Sequence, residues 1–501
     1  MNSPLITSIS ALLTVSPQSN KPKTRINLKS EGRNRAPGAR KMNTEELREE
    51  KFKKIEERIG GDLGKRVACA LRDFYTLYTP DMVDWLAGLY DPKIGGFYYS
   101  NNARDLDSLV YQGAEYKLRP DVESTQQALR VISDSGLAGE PHASYADVLP
   151  EWMKADIGRY VKGLQNENGF FYNPQWGVEF TDARISRRAR DLMWSCDILT
   201  KLGLSPTYDT PTGIKGDGID NNGRPVEGSC KTEGTAEDKE QHNHTAEIPT
   251  HLENREAFLK YLDGLYESTS SWGYGNTLTA QKGQIVYRDK QLAAEGKEAN
   301  MMSTVIEWLN SKQRANGLWE DDTNYDAVNG LMKISGVYST AGVLVPNAER
   351  ATLAAVEAIS TKEEPTSVCC IYNSWYAVSR MLNIIKNHGG EDGERIVSSI
   401  RHSLWNSAER DLKITREKLS VFKKPDGSFS YSPLYSSARS QRCPVTPDRS
   451  VEGDMNASCI CSSDIVSYIL SSLGIGDLTP PIFGPADTER MLELFEKSRK
   501  K

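Results

Sequence analysis

Cysteine and histidine are scarce. The 501 residues contain 8 Cys and 6 His. No Cys-x-x-Cys or His-x-x-x-His spacing occurs, so neither a disulfide framework nor a zinc site is expected. Cys369-Cys370 and Cys459-x-Cys461 lie in apolar helical patterns and read as core residues. There is no excess of positive charge: the net charge is −6, which argues against a nucleic-acid partner and against a basic membrane-binding surface. No apolar run approaches the roughly 20 residues of a membrane span. The N-terminus has no basic n-region, only a short apolar run and no clear cleavage site, so it is not read as a secretory signal, and a cytoplasmic location is expected. No cofactor and no metal ion are expected. Strand-type alternation is also rare.

Two segments lack the apolar residues of a core. Residues 1–41 are polar, basic and rich in Pro, Gly and Ser, and read as disordered, with Met42 as an alternative start. Residues 205–250 read as one long insertion loop; "GDGIDNNG" within it misses the acidic spacing of a calcium loop and is better explained by turn chemistry.

What is present is a repeat. Gln313-x-x-x-Gly317-x-Trp319 returns as Gln165, Gly169 and Phe171, as Asp91, Gly95 and Phe97, and as Lys423, Gly427 and Phe429. Met153, Ile157, Tyr160, Val161 and Leu164 run at helical spacing into one copy, and Met302, Val305, Ile306 and Leu309 into another. The unit is an amphipathic helix, the Gly-x-aromatic turn, a polar stretch and a second helix. Six segments read as starts of second helices, at 118–125, 180–188, 272–280, 323–331, 371–379 and 452–460, each polar and then apolar. This predicts a double ring of paired helices whose inner members point polar N-termini into a common cavity.

The Gln-x-x-x-Gly-x-Trp motif matches the repeat motif of the squalene–hopene cyclase and prenyltransferase superfamily, and the helix–motif–helix unit resembles that family's α/α toroid. Six-hairpin glycosidases and polysaccharide lyases share the scaffold. The resemblance implies an all-α fold, an (α/α)6 toroid over about residues 65–480, and leaves the chemistry open. The chain has no Asp-x-Asp-Asp acid, Asp321-Asp322-x-x-x-Asp326 misses the ionising terpene synthase spacing, and neither a zinc-binding Asp, Cys and His set nor a Gly-Cys-Gly-Glu-Gln thioester motif is present.

The residues expected in the cavity are polar and carboxylate-rich with aromatics interleaved, a composition suited to a sugar. Hydrolysis needs two carboxylates about 5 to 9 Å apart, with Asp121 or Glu123 opposite Asp326 as the pair. Elimination needs a base and a group to neutralise a uronate, with Tyr274 or Tyr325 beside Arg119 or Arg184 and Asn276. Trp272, Asn329, Tyr372, Asn373, Trp375, Asp454 and Asn456 complete the expected binding set. Tyr325, Asn329 and Lys333, spaced by four, are expected to run down the wall with Asp326 beside them. Against this, capping a helix is the competing reading for Asp121, Asp182 and Asp326, "ISRRARD" at 185–191 reads as a solvated or salt-bridged face, and His242, His244 and His251 are lid candidates. The expected function is a glycoside hydrolase or polysaccharide lyase acting on an oligosaccharide. The alternatives are an isoprenoid-handling enzyme and a non-catalytic binding toroid.

Overall fold

The computed structural model describes residues 42–226 and 246–500. The segment 1–41, and residues 227–245 of the insertion with His242 and His244, lie outside the described residues. The fold is 60% helix and 5% strand. Among the described residues the strands make three two-stranded antiparallel pairs, and the core is supplied mainly by helices.

Six helices start at or within three residues of the segments expected from sequence: Val122–Asp134, Ile185–Lys201, Ser271–Ala294, Tyr325–Ala341, Val368–His388 and Met455–Cys459. The last continues through a π-helical turn, Ile460–Asp464, into Ile465–Ser472. Each of the six packs on the next in chain order, and Met455–Cys459 packs on Val122–Asp134, so the succession of contacts returns to its start. The intervening helices, among them Glu151–Gly163, Met301–Lys312, Ala348–Ile359 and Gly390–Ser420, pack against members of the six. Contacts group Asn43–Lys501 into one unit, which includes the terminal helices Thr44–Ile59 and Pro485–Arg499.

The motif copies share their turn glycine conformation. The glycines have positive φ, 84° at Gly317 and 78° at Gly427, a conformation in which a side chain is strained. They also face backbone. A Cβ on Gly317 would lie 2.8 Å from the Ala351 nitrogen of helix Ala348–Ile359, and one on Gly427 would lie 2.6 Å from the Met82 nitrogen of helix Asp81–Gly88. Gly95 and Gly169 meet the Asp156 and Asp209 carbonyls in the same way. Each turn therefore docks directly on a segment outside its own helix pair, and the fourth motif docks on a helix near the N-terminal end of the described chain. Gln313 and Gln165 reinforce this by donating to the carbonyls of Pro346 at 2.7 Å and Tyr208 at 2.9 Å. The motif aromatics Phe97, Phe171, Trp319 and Phe429 are buried, and the Trp319 indole N–H donates to the Leu309 carbonyl at 2.8 Å.

Gly317→Ala is expected to destabilise the protein through both strain and backbone overlap. Trp319→Ala is expected to cost about 3–5 kcal/mol through the cavity it leaves. Chemical denaturation checks both; wild-type midpoints for either variant would show that the turn carries no packing load.

Candidate functional site

The six helices enclose a cavity of about 610 Å³. Its wall follows helical spacing. Gln126 and Arg130 come from the first helix, Ser186, Arg190 and Trp194 from the second, Trp272, Asn276 and Ala280 from the third, and Cys369, Asn373 and Tyr376 from the fifth. Asn456, Ile460, Asp464 and Tyr468 come from the last, whose π turn lies between the first of these and the last. The fourth helix contributes only Lys333. It is drawn against the third by small residues: a Cβ on Gly330 would overlap Ser271, and one on Gly275 would overlap Ile334.

The wall is rich in cations and aromatics. Tyr376 and Tyr468 stack with centroids 3.8 Å apart, and Tyr372 packs on both. The Arg190 guanidinium sits 5.3 Å from the Trp194 ring and donates to Asn276. Asp464 is held by Arg130 at 2.5 Å and by the Tyr372 hydroxyl at 3.3 Å. The Lys333 amine has no hydrogen-bond or ion-pair partner among the described residues. Burial first, then Arg190 and Arg380 nearby, push its amine down to about 7. Burial and Arg380 likewise bring Lys282 down to about 8. Arg380 lies over the Tyr376 ring and donates to the Met332 carbonyl, with no carboxylate beside it among the described residues. The Tyr431 hydroxyl accepts from Cys369 Sγ at 3.5 Å, and both side chains line the cavity.

Of the residues expected from sequence, Trp272, Asn276, Tyr372, Asn373 and Asn456 line this cavity. The others lie elsewhere, for physical reasons. Asp121 and Asp454 are buried equivalents in two repeats. Each caps its helix, accepting from Ser124 N and Ala457 N, and each donates its own N–H to a motif aromatic, Phe97 or Phe429. Burial pushes Asp121 up to about 6 and Asp454 to about 7. Glu123 lies behind the wall. Burial alone would raise its carboxyl, but Arg187 at 2.6 Å and Arg190 hold it below the usual range. The "ISRRARD" face is salt-bridged rather than solvated, since Arg187 is fully buried between Glu123 and Asp191. Asp326 is exposed, and Asn324 rather than Asp326 caps that helix. Two steps of four residues drift by about 80° around a 3.6-residue helix. Lys333 accordingly lines the cavity while Tyr325 does not, its hydroxyl accepting from Lys418 at 2.7 Å. Asn329 sits behind Asn373 and accepts its amide N–H at 2.8 Å. Tyr274 packs on Trp308 and Tyr266, and the Trp375 indole donates to Thr415. Arg119 is exposed in a separate surface depression beside Tyr160 and Asn173. Arg184 lies near a rim, donating to the Arg442 carbonyl at 3.3 Å. His251 stacks on Tyr261 away from the cavity, and burial lowers it to about 4.

Sequence reasoning looked at helix starts, whereas the wall is made mostly by the turns that follow. Arg130, Arg190, Trp194, Tyr376, Asp464 and Tyr468 were therefore missed. Stepping by three and four from Gln126, Ser186, Trp272, Cys369 and Asn456 would have found most of them. Gln441 and Arg442, which also line the cavity, sit in a loop that carries no such signal.

No protein-family model, no curated protein and no solved structure matches the chain. Among the described residues, no helix is long and apolar enough to cross a membrane, and no group of three or more His, Cys, Asp or Glu could hold a metal ion.

Asp454 gives a signed pH prediction. Its folded value, about 7, exceeds the ordinary 3.8, so the native state holds the extra proton between these limits. That contribution is full below about pH 4 and is lost as pH rises through 7. Asp454→Asn keeps the capping oxygen and cannot ionise. The stability gap between wild type and variant should therefore move in the variant's favour from pH 5 to pH 8 in thermal melts. A gap that stays constant would mean Asp454 is ionised throughout.

Proposed function

We propose that the six helices and their partners form an (α/α)6 toroid, and that the protein is a carbohydrate-active enzyme cleaving an acidic oligosaccharide in the central cavity, by elimination. The observation that carries this reading is the charge of the cavity. Arg190, Lys333, Arg380 and Lys282 lie in or beside it, and among the described residues the one carboxylate on its wall, Asp464, is already engaged by Arg130. Arg190 faces Glu123 behind the wall, whereas Lys333, Lys282 and Arg380 have no ion-pair partner among the described residues. Such cations in a partly desolvated site are costly, and a uronate carboxylate relieves that cost. Trp194, Trp272 and the tyrosine stack offer faces for sugar C–H groups. Gln126, Gln127, Asn373 and Asn456 offer amides for hydroxyls; the Gln126, Gln127 and Asn373 side-chain oxygens are buried without partners.

Hydrolysis is less well supported, because Asp121, Glu123 and Asp326 do not face one another across the cavity. In elimination, a base takes the C5 proton, the C4–O4 bond breaks, a C4=C5 double bond forms and O4 takes a proton. Lys333 and Arg190 would neutralise the carboxylate and so acidify C5. Tyr372 would take the C5 proton as its own hydroxyl proton passes to Asp464, to which it already donates. The neighbouring Cys369, and then burial, keep the Tyr431 hydroxyl protonated far above its ordinary range, so it would supply the proton to O4. An isoprenoid diphosphate is the second reading, favoured by the repeat motif and the tyrosine cluster. The amides along the wall have no role against a hydrocarbon chain.

Uronate-containing oligosaccharides are expected to yield new absorbance from an unsaturated product. Lys333→Met and Tyr431→Phe should abolish it while leaving the melting temperature near wild type. New reducing ends without unsaturation would replace elimination by hydrolysis, and turnover of neutral glucans alone would remove the acidic substrate. Substrate affinity has its own pH sign. Below about 7 Lys333 is an ammonium ion and binds the carboxylate. Above 7 it is neutral, so affinity should fall as pH rises from 6 to 8, with Arg190 and Arg380 still charged and Glu123 ionised throughout. Affinity that rises over this range would exclude Lys333 as the anion receptor.

A further inference from the structure

We propose that the tip of the Arg439–Pro444 hairpin, Gln441 and Arg442, is a specificity clamp that grips an anionic substituent of a saccharide chain extending out of the cavity. This rests on the acidic-oligosaccharide reading and deepens it.

The hairpin pairs Arg439 with Pro444 and Ser440 with Cys443, leaving a two-residue loop. Both loop residues have positive φ, 50° at Gln441 and 67° at Arg442. That is the turn in which Asn-Gly is favoured and long side chains are strained. A sequence selected only to close this hairpin would not place Gln and Arg there, and both side chains line the cavity.

The tip is held from several sides. Ser440 donates to Glu123, the same carboxylate that faces Arg190. Gln441 accepts from Asn276 at 3.1 Å, and Asn276 in turn accepts from Arg190. The Pro444 carbonyl accepts from the Trp176 indole at 2.9 Å and from Gln175 at 2.8 Å. The backbone is thus fixed, while the Arg442 guanidinium has no partner among the described residues.

Arg442 also borders a second, shallow depression outside the hairpin, lined by Arg184, Arg439, Tyr111 and Gln112. Among the described residues, no carboxylate lines that depression. One arginine therefore lies on both the central cavity and an outer cationic surface. Arg439, Arg184, Arg442, Arg190 and Lys333 supply positive charge from outside to inside, on a chain whose net charge is −6. A monosaccharide would use only the inner part; a polyanionic chain would use both.

The test replaces the tip with the favoured turn, Gln441→Asn together with Arg442→Gly, and separately makes Arg442→Lys. Polygalacturonate, dextran sulfate and neutral dextran are titrated into the full chain, followed by tryptophan fluorescence, with thermal melts alongside. The double variant should melt no lower than wild type yet bind both polyanions about tenfold or more weakly, the loss expected when a charge contact to an anion is removed. Arg442→Lys should recover part of the affinity, and dextran should not bind. A lowered melting temperature with unchanged polyanion affinity would make the hairpin purely structural and overturn the clamp. So would wild-type protein that binds no polyanion, or binds dextran equally well. Hairpin-dependent binding of polyanions with no turnover of any saccharide would keep the clamp and remove the proposed reaction. Turnover of uronates unchanged in the double variant would do the reverse.

Discussion

Backbone-to-backbone contact at the turn glycines is the constraint on which the other features depend. At Gly95, Gly169, Gly317 and Gly427 the chain turns with positive φ a few residues past a helix end and lies directly on a neighbouring segment, at distances that leave no room for a Cβ. Such a contact fixes the separation and rotation of two helical units more tightly than interdigitating side chains, which can adjust rotamers. The aromatic two residues later is buried and locks the same turn from the core side. In two copies the N–H of that aromatic is taken by a hydroxyl of a cavity-lining helix, Thr125 for Phe97 and Ser458 for Phe429. Turn, neighbouring unit and cavity-lining helix are thereby tied at one point.

Once the helix starts are pinned in this way, the cavity wall follows from helical geometry. The carboxylates nearest the pinned ends, Asp121 and Asp454, are consumed in capping. The buried set Glu123, Arg187 and Asp191 ties the first cavity-lining helix to the second. A buried ion cluster of this kind contributes little net stability, because desolvation offsets the attraction, but removing one member would strand its partners. Its consequence is positional: Glu123 also takes Ser440 and faces Arg190, so one buried carboxylate holds both a wall residue and the hairpin above it.

The sequence shows why some of this was readable and some was not. The motif spacing and the polar helix starts are local signals, and the helices begin where they indicate. Lining depends on the rotation of each helix about its axis, which is set by contacts far away in sequence. Gly330 against Ser271 and Gly275 against Ile334 turn the fourth helix so that Lys333 alone reaches the cavity. No four-residue pattern within that helix reveals this, and the expected row of Tyr325, Asn329 and Lys333 does not form there. Asp326 illustrates a second limit: an acidic residue at a helix start is equally compatible with a cap, a site and a solvated surface. Here Asn324, two residues earlier, does the capping and Asp326 faces solvent.

Arg380 neighbours both Lys333 and Lys282, and no carboxylate forms an ion pair with any of the three among the described residues. In such surroundings an amine responds by lowering its affinity for protons, as Lys333 and Lys282 do. An arginine cannot respond in this way, because its guanidinium keeps its proton even when burial lowers its affinity. Arg380 instead spreads its charge over the Tyr376 ring and the Met332 carbonyl. Both are partial solutions, and each leaves donors facing the open volume. An anion entering that volume would return the proton to Lys333 and pair with a charge that folding has left uncompensated. The free energy gained on binding would then come largely from relieving repulsion already built into the empty cavity.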